Sequence, residues 1–65
     1  MIDLQKIRAL REDLGLTQGQ AAKVAGLRSA QRWNNIESGR TCNVTVETLG
    51  RMAKALKVKA ADLLK

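Results

Sequence analysis

The stretch TQGQAAKVAGLRSAQRWNNIESGR, residues 17–40, decides how the chain folds. Within it, Thr17 and Gln20 form a T-x-x-Q capping box, which predicts that a helix starts there. Gly26 can adopt the positive φ that a tight turn between two helices needs. The stretch therefore predicts two short helices joined by a tight turn, and the rest of the chain supplies the scaffold that holds the second helix.

The second helix of this pair is predicted over about 29–38, because Ser29 is a good N-cap residue and Gly39 is a natural residue just past a helix end. Steps of about 100° per residue place Trp33 and Ile36 together on an inward side. The outward side carries amide, hydroxyl and guanidinium groups: Gln31, Asn34, Asn35 and Ser38, with Arg28 at the N-terminal edge and Arg32 on the flank. Amides pair bidentately with adenine and Arg pairs with guanine or phosphate. This side therefore favours DNA readout over an ordinary solvated surface.

Composition bounds the size and the chemistry of the protein. Its 65 residues predict a single domain, 1–65, near the lower limit for folding alone. One Cys and no His exclude an internal disulfide and a zinc site, and no metal or other cofactor is predicted. Ala, Leu, Lys, Arg, Gln and Glu dominate and Pro is absent, which predicts an all-α fold.

The charge balance indicates the kind of partner. A net charge of +6 and a pI of about 10.3 favour a polyanion, although a merely soluble basic domain would show the same balance. There is no apolar run of membrane length and no signal peptide, so we expect no membrane partner and a cytoplasmic location. No His, paired carboxylates or activated nucleophile stands out, which disfavours an enzyme.

Three further helices are predicted around this pair. The first begins after the N-cap residue Asp3 and ends before Gly15. The fourth is capped by Thr45, and the fifth is a short helix over 60–64. The apolar stripe of the fourth helix is predicted to contain Val46, Leu49, Met52, Ala53 and Leu56.

Two charged residues fall on predicted inward sides. Arg11 lies on the apolar stripe of the first helix, where it either snorkels from the edge or meets a buried acid. Glu37 shares the inward side of the third helix with Trp33. Because a buried carboxylate needs a partner, we predict a structural ion pair between Arg11 and Glu37. Trp33 itself is predicted to fill core space left by Ala21 and Ala22 rather than to stack on a base.

The chain resembles the lambda-repressor/Cro type of helix-turn-helix domain, also called the xenobiotic-response-element family. The matching segments are IRALREDLGLTQ, AAKVAGL, NNIESGR, VTVETLGRMAKALKV and ADLL, which cover nearly the whole chain. The resemblance implies a compact five-helix fold with helices 2 and 3 as the helix-turn-helix and the third helix in the DNA major groove. It also implies that Arg11 and Glu37 match an Arg-to-Glu pair of the family.

The resemblance and the outward side of the third helix together give the predicted contacts. The predicted base-reading residues are Arg28, Gln31, Arg32 and Asn35. The predicted phosphate-contacting residues are Gln18, Ser38, Arg40 and Asn43.

The chain departs from the family pattern at three points. One extra residue lies between Gly26 and Glu37, which leaves the start of the recognition helix open. Trp33 and Ala21 replace a smaller and a larger aliphatic residue, and the two changes compensate each other in volume. Lys57 stands where a C-capping Gly is common, so we expect a strained or reshaped turn after the fourth helix.

These features predict a sequence-specific double-stranded-DNA-binding protein, a transcription regulator of the repressor kind from a bacterium, phage or plasmid. A homodimer on a near-palindromic operator is expected, with residues 58–64 as the candidate interface. One alternative is an antitoxin or restriction-control subunit that a regulatory protein partner modulates. Another is a protein-interaction module that does not bind DNA.

Overall fold

The fold is described by a computed structural model that covers residues 2–41 and 44–64. Within these residues the chain forms four α-helices, namely α1 Leu4–Asp13, α2 Gln18–Val24, α3 Ala30–Glu37 and α4 Val46–Ala55. A short 3-10 helix, Ala60–Leu63, follows them. The all-α class is confirmed. The count of five α-helices is not, because the last predicted helix is a four-residue 3-10 segment.

Each of these four α-helices begins at the polar residue that the sequence predicts. The side chains of Asp3, Thr17, Ser29 and Thr45 each accept a hydrogen bond from the backbone N–H three residues later. The capping box of α2 is complete, because Gln20 N donates to Thr17 Oγ1 at 3.1 Å and Thr17 N donates to Gln20 Oε1 at 2.9 Å. Each cap contributes about 1 kcal/mol, so local chemistry alone sets where these helices start.

Each helix contributes residues from one of its sides to the hydrophobic core. Its buried apolar residues are Ile7, Ala21, Ala22, Ala25, Trp33, Ile36, Leu49, Met52, Ala53, Ala55, Leu56 and Leu63. Trp33 is the largest of these and is fully buried, which confirms that it is a core residue. Ala21 and Ala22 are buried in the same cluster. Their small side chains leave room for the indole ring, as the predicted compensation requires.

One predicted core position is wrong. Val46 was expected in the apolar stripe of α4, but it is 85% exposed. The buried side of α4 is centred on Met52 and Leu56 and includes the hydroxyl residue Thr48. At 100° per residue, Val46 falls beyond the edge of that side, so the first turn of α4 leaves it in solvent.

The turn between α2 and α3 is a Schellman motif built on Gly26. Gly26 has a φ of +75° and its N–H donates to Lys23 O, while Leu27 N donates to Ala22 O. The end of α4 has the same pair of hydrogen bonds, but the left-handed position there is Lys57, with a φ of +60°. A non-glycine residue in this conformation costs roughly 1–2 kcal/mol, which agrees with the strained turn predicted at Lys57.

The ends of the described chain are tied together. Ile2 and Leu64 form an isolated antiparallel bridge, and Asp3 N donates to Leu63 O at 2.8 Å. This bridge holds the start of α1 against the 3-10 helix. None of the helices in the part of the chain that the structure describes is long and apolar enough to cross a membrane.

Candidate nucleic-acid interface

Helix α3 has one side in the core and one side in solvent. Trp33, Ile36 and Glu37 are buried, and α3 packs mainly against α2. Gln31 and Arg32 are exposed, and Asn35 is half-buried. The helix is therefore fixed by its apolar side, while its polar side is open to a partner.

Two amides on the polar side of α3 are linked to each other. Gln31 Nε2 donates to Asn35 Oδ1 at 2.9 Å across one helical turn. The backbone oxygen of Asn35 accepts from Thr41 N at 3.1 Å, which holds the end of the helix against the following loop. Within residues 2–41 and 44–64, Gln31 Oε1 and Asn35 Nδ2 form no hydrogen bond. The pair thus keeps one acceptor and one donor for a partner, and the major-groove edge of adenine presents a donor, N6–H, and an acceptor, N7.

Guanidinium groups flank these amides. Arg28, Arg32 and Arg40 are all exposed. Arg32 lines a groove with Gln31 and Asn35 on one side and a second groove with Arg28 on the other. Arg32 therefore brings positive charge beside the linked amides, and Arg28 adds to it from the second groove, which favours the approach of a polyanion.

Gln18, the first residue of α2, is engaged by two protein partners. Its Nε2 donates to Glu37 Oε2, and its Oε1 accepts from Asn34 Nδ2 at 3.0 Å. Asn34 is predicted to lie with the outward amides, and that prediction is wrong, because its side chain turns toward the acceptor that α2 supplies. One hydrogen of the Gln18 amide nitrogen remains for a further acceptor. The predicted phosphate contact of Gln18 stays a prediction.

The predicted ion pair is present below this surface. Arg11 Nε lies 2.8 Å from Glu37 Oε1, and the two side chains are 11% and 5% exposed. Arg11 Nη1 also donates to Leu16 O at 2.8 Å. Arg11 thus meets a buried acid instead of snorkelling. The pair ties α1 and the α1–α2 connection to the end of α3.

The remaining predicted contacts lie at the end of α3. Ser38 is the exposed C-cap residue, and its hydroxyl lies 3.4 Å from Asn35 O. Gly39 follows with a φ of +83°, and Arg40 comes next in the chain. Asn43 lies outside the described residues. Ser38 thus ends α3 next to Asn35, and the phosphate contacts predicted for Ser38 and Arg40 stay predictions.

Sequence reasoning missed the role of Asn34. Asn34 and Glu37 are three residues apart on α3, and both bond to the same Gln18 side chain. Residues at this spacing are neighbours on a helix. The spacing places Asn34 next to Glu37 on α3, but the acceptor on α2 that Asn34 meets cannot be predicted from α3 alone.

The geometry and the sequence comparison define the same class of protein. The capped helix α2 is followed by a tight turn and then by the short helix α3. One side of α3 packs in the core, and the other side carries linked amides and Arg residues. This is the arrangement of a DNA-binding helix-turn-helix. The sequence matches the helix-turn-helix domain family over residues 5–64, and the chain belongs to that family. Membership agrees with the lambda-repressor/Cro resemblance and points to DNA binding and transcription regulation. No curated protein matches the chain significantly.

Proposed function

We propose that this protein is a transcription regulator of the repressor kind that binds double-stranded DNA sequence-specifically, with α3 in the major groove. The observation that carries the proposal is the linked pair of the exposed Gln31 and the half-buried Asn35, on a helix that Trp33 fixes in the core. A rigid helix can hold the unpaired acceptor and donor of this pair at base edges. Arg28 and Arg32 extend the base-reading surface on the same helix and its N-terminal edge.

Binding divides into two kinds of contact. Contacts to phosphates by Gln18, Ser38, Arg40 and Asn43 set the register on the duplex and the salt dependence of affinity. Contacts to base edges by the residues of α3 give sequence preference. The net charge of +6 supports the first kind, and the uncharged amides of α3 support the second.

Binding as a homodimer on a near-palindromic operator fits the small size of the recognition surface. Helix α3 has eight residues and covers only a few base pairs, so two copies are needed for a long site. The proposed interface, residues 58–64, includes Leu64, which is 46% exposed. Leu64 lines an apolar groove with Ile2, Leu4 and the exposed Val46. A contact between two copies would remove this apolar surface from water.

Selection of bound sequences from a random pool of double-stranded DNA tests the proposal directly. We expect enrichment of one half-site in two inverted copies at a fixed spacing. A protein that carries both Gln31→Ala and Asn35→Ala should enrich no such motif while it still retains DNA. Recovery of an unenriched pool by the unaltered protein would contradict sequence-specific binding.

Gln31→Ala is expected to weaken binding to the selected site by about 1–3 kcal/mol and to leave binding to random DNA unchanged. The reason is that the substitution removes a base-edge contact and no phosphate contact. Fluorescence anisotropy with both duplexes measures the two affinities. Gln5→Ala removes an exposed side chain of the same type from α1, and it should change neither of the two affinities. An equal loss on random DNA would contradict base reading by Gln31.

Arg40→Ala is expected to weaken binding to the selected site and to random DNA alike. Because a phosphate contact releases a counterion, the slope of log affinity against log salt should become shallower by about one. A salt titration on both duplexes measures this slope. Lys54→Ala removes the same charge from the exposed side of α4 and serves as the control. An unchanged slope in the Arg40 variant would rule out a phosphate contact there.

A further inference from the structure

A chain of polar side chains leads from the core to the DNA-facing side. Arg11 Nε donates to Glu37 Oε1 at 2.8 Å, and Gln18 Nε2 donates to Glu37 Oε2. Asn34 Nδ2 donates in turn to Gln18 Oε1 at 3.0 Å. All of these side chains are buried or partly buried. Every link points the same way, toward the Glu37 carboxylate.

The direction of these hydrogen bonds follows from the chemistry of Glu37. A carboxylate paired with a guanidinium only accepts, so Gln18 must turn its nitrogen toward Glu37. Its oxygen then faces the opposite way, where only a donor can satisfy it, and Asn34 supplies that donor. Glu37 and Asn34 together therefore fix which end of the Gln18 amide faces which neighbour.

This orientation decides what Gln18 can offer to DNA. Phosphate oxygens accept hydrogen bonds and do not donate them. With Gln18 Oε1 occupied by Asn34, the group left for a ligand is the second hydrogen on Nε2. The side chains of Gln18 and Asn34 line a solvent-open groove between α1, α2 and α3, together with Arg8 and Ser38. A phosphate that enters this groove therefore meets a donor and not the amide oxygen.

We propose that Asn34 is a positioning residue for DNA binding, which acts through Gln18 and not through a contact of its own. The inference rests on the proposed phosphate contact of Gln18. When Asn34 is removed, Gln18 Oε1 loses its partner, and Glu37 alone holds the amide at its nitrogen end. The amide plane can then turn about that one hydrogen bond, so the second N–H of Gln18 no longer has a fixed direction toward the phosphate.

A double-mutant cycle tests the proposal. Gln18→Ala, Asn34→Ala and the double variant are compared with the unaltered protein for affinity to a random-sequence duplex, by fluorescence anisotropy at fixed salt. We expect Asn34→Ala to weaken binding about three- to tenfold, the effect of one hydrogen bond. Gln18→Ala should weaken binding at least as much. The double variant should bind no more weakly than Gln18→Ala alone. Gln5→Ala is the control for removal of an amide, and circular dichroism establishes that each variant is folded.

Three outcomes would overturn the proposal. If Asn34→Ala weakens binding by the same factor in the Gln18→Ala background, Asn34 contacts DNA by itself. If Gln18→Ala weakens binding and Asn34→Ala does not, Gln18 needs no positioning and only this inference fails. If Gln18→Ala leaves affinity unchanged, the proposed phosphate contact of Gln18 fails and the inference fails with it.

Discussion

Trp33→Ala should lower the free energy of unfolding by about 3–5 kcal/mol, the cost of emptying a large buried aromatic site. Trp33 is the largest fully buried side chain and lies on the inward side of α3. A domain of 65 residues has a total stability of about 3–10 kcal/mol at the usual values per residue. The variant is therefore expected to be largely unfolded, and to lose DNA binding as a consequence.

Urea unfolding followed by far-ultraviolet circular dichroism measures this effect without the indole signal. Val46→Ala shortens an apolar side chain that is 85% exposed and should change stability by less than about 0.5 kcal/mol. Trp33→Phe should cost less than Trp33→Ala, because a ring is retained. In addition, the indole N–H has no hydrogen-bond partner among the described residues, so its loss breaks no bond there. Equal midpoints for Trp33→Ala and Val46→Ala would contradict the core role of Trp33.

Glu37→Ala should also lower the free energy of unfolding by about 3–5 kcal/mol. The substitution leaves the Arg11 guanidinium buried without its acid and removes the acceptor of Gln18. A buried charge without a partner is costly because the protein interior does not replace its hydration. Thermal unfolding should therefore show a large drop in melting temperature.

The exposed ion pair of α1 offers a matched control. Arg8 Nε lies 3.6 Å from Glu12 Oε2, and the two side chains are 67% and 57% exposed. Like Glu37→Ala, Glu12→Ala removes the glutamate of an Arg–Glu ion pair, but this pair is exposed to solvent. It should cost no more than about 1 kcal/mol, because water screens the interaction. Similar melting temperatures for the two Glu variants would show that the Arg11–Glu37 pair gains nothing from burial.

Features that depend on neighbouring residues were predictable from the sequence. The α-helix starts follow from side chains that cap the backbone within three residues, and the turn at Gly26 follows from its backbone freedom. The Arg11–Glu37 pair spans a longer distance, yet it was predictable because each residue is a charge on an inward side. A buried charge needs an oppositely charged or hydrogen-bonding partner, whereas a buried apolar residue can pack against many different side chains.

Features that depend on the packing between helices could not be predicted from the sequence. The last segment is a four-residue 3-10 turn that follows the left-handed Lys57, and the Asp62 side chain accepts a hydrogen bond from Lys59 N at its start. Val46 is exposed although Thr48 and Leu49 in the same turn of α4 are buried, because it lies just beyond the edge of the buried side. Asn34 turns inward because an acceptor on α2 lies within reach, and helical periodicity on α3 alone does not contain that information.

The separation of α3 into a buried and an exposed side bears on how this protein can diverge. Exchanging the exposed Arg32 alters the surface that we propose for DNA binding, without disturbing the core residues Trp33 and Ile36. Gln31 and Asn35 bond to each other, so a change at one favours a matching change at the other. If α3 reads DNA as proposed, a few substitutions on this one helix can change the sequence preference while the core residues stay the same.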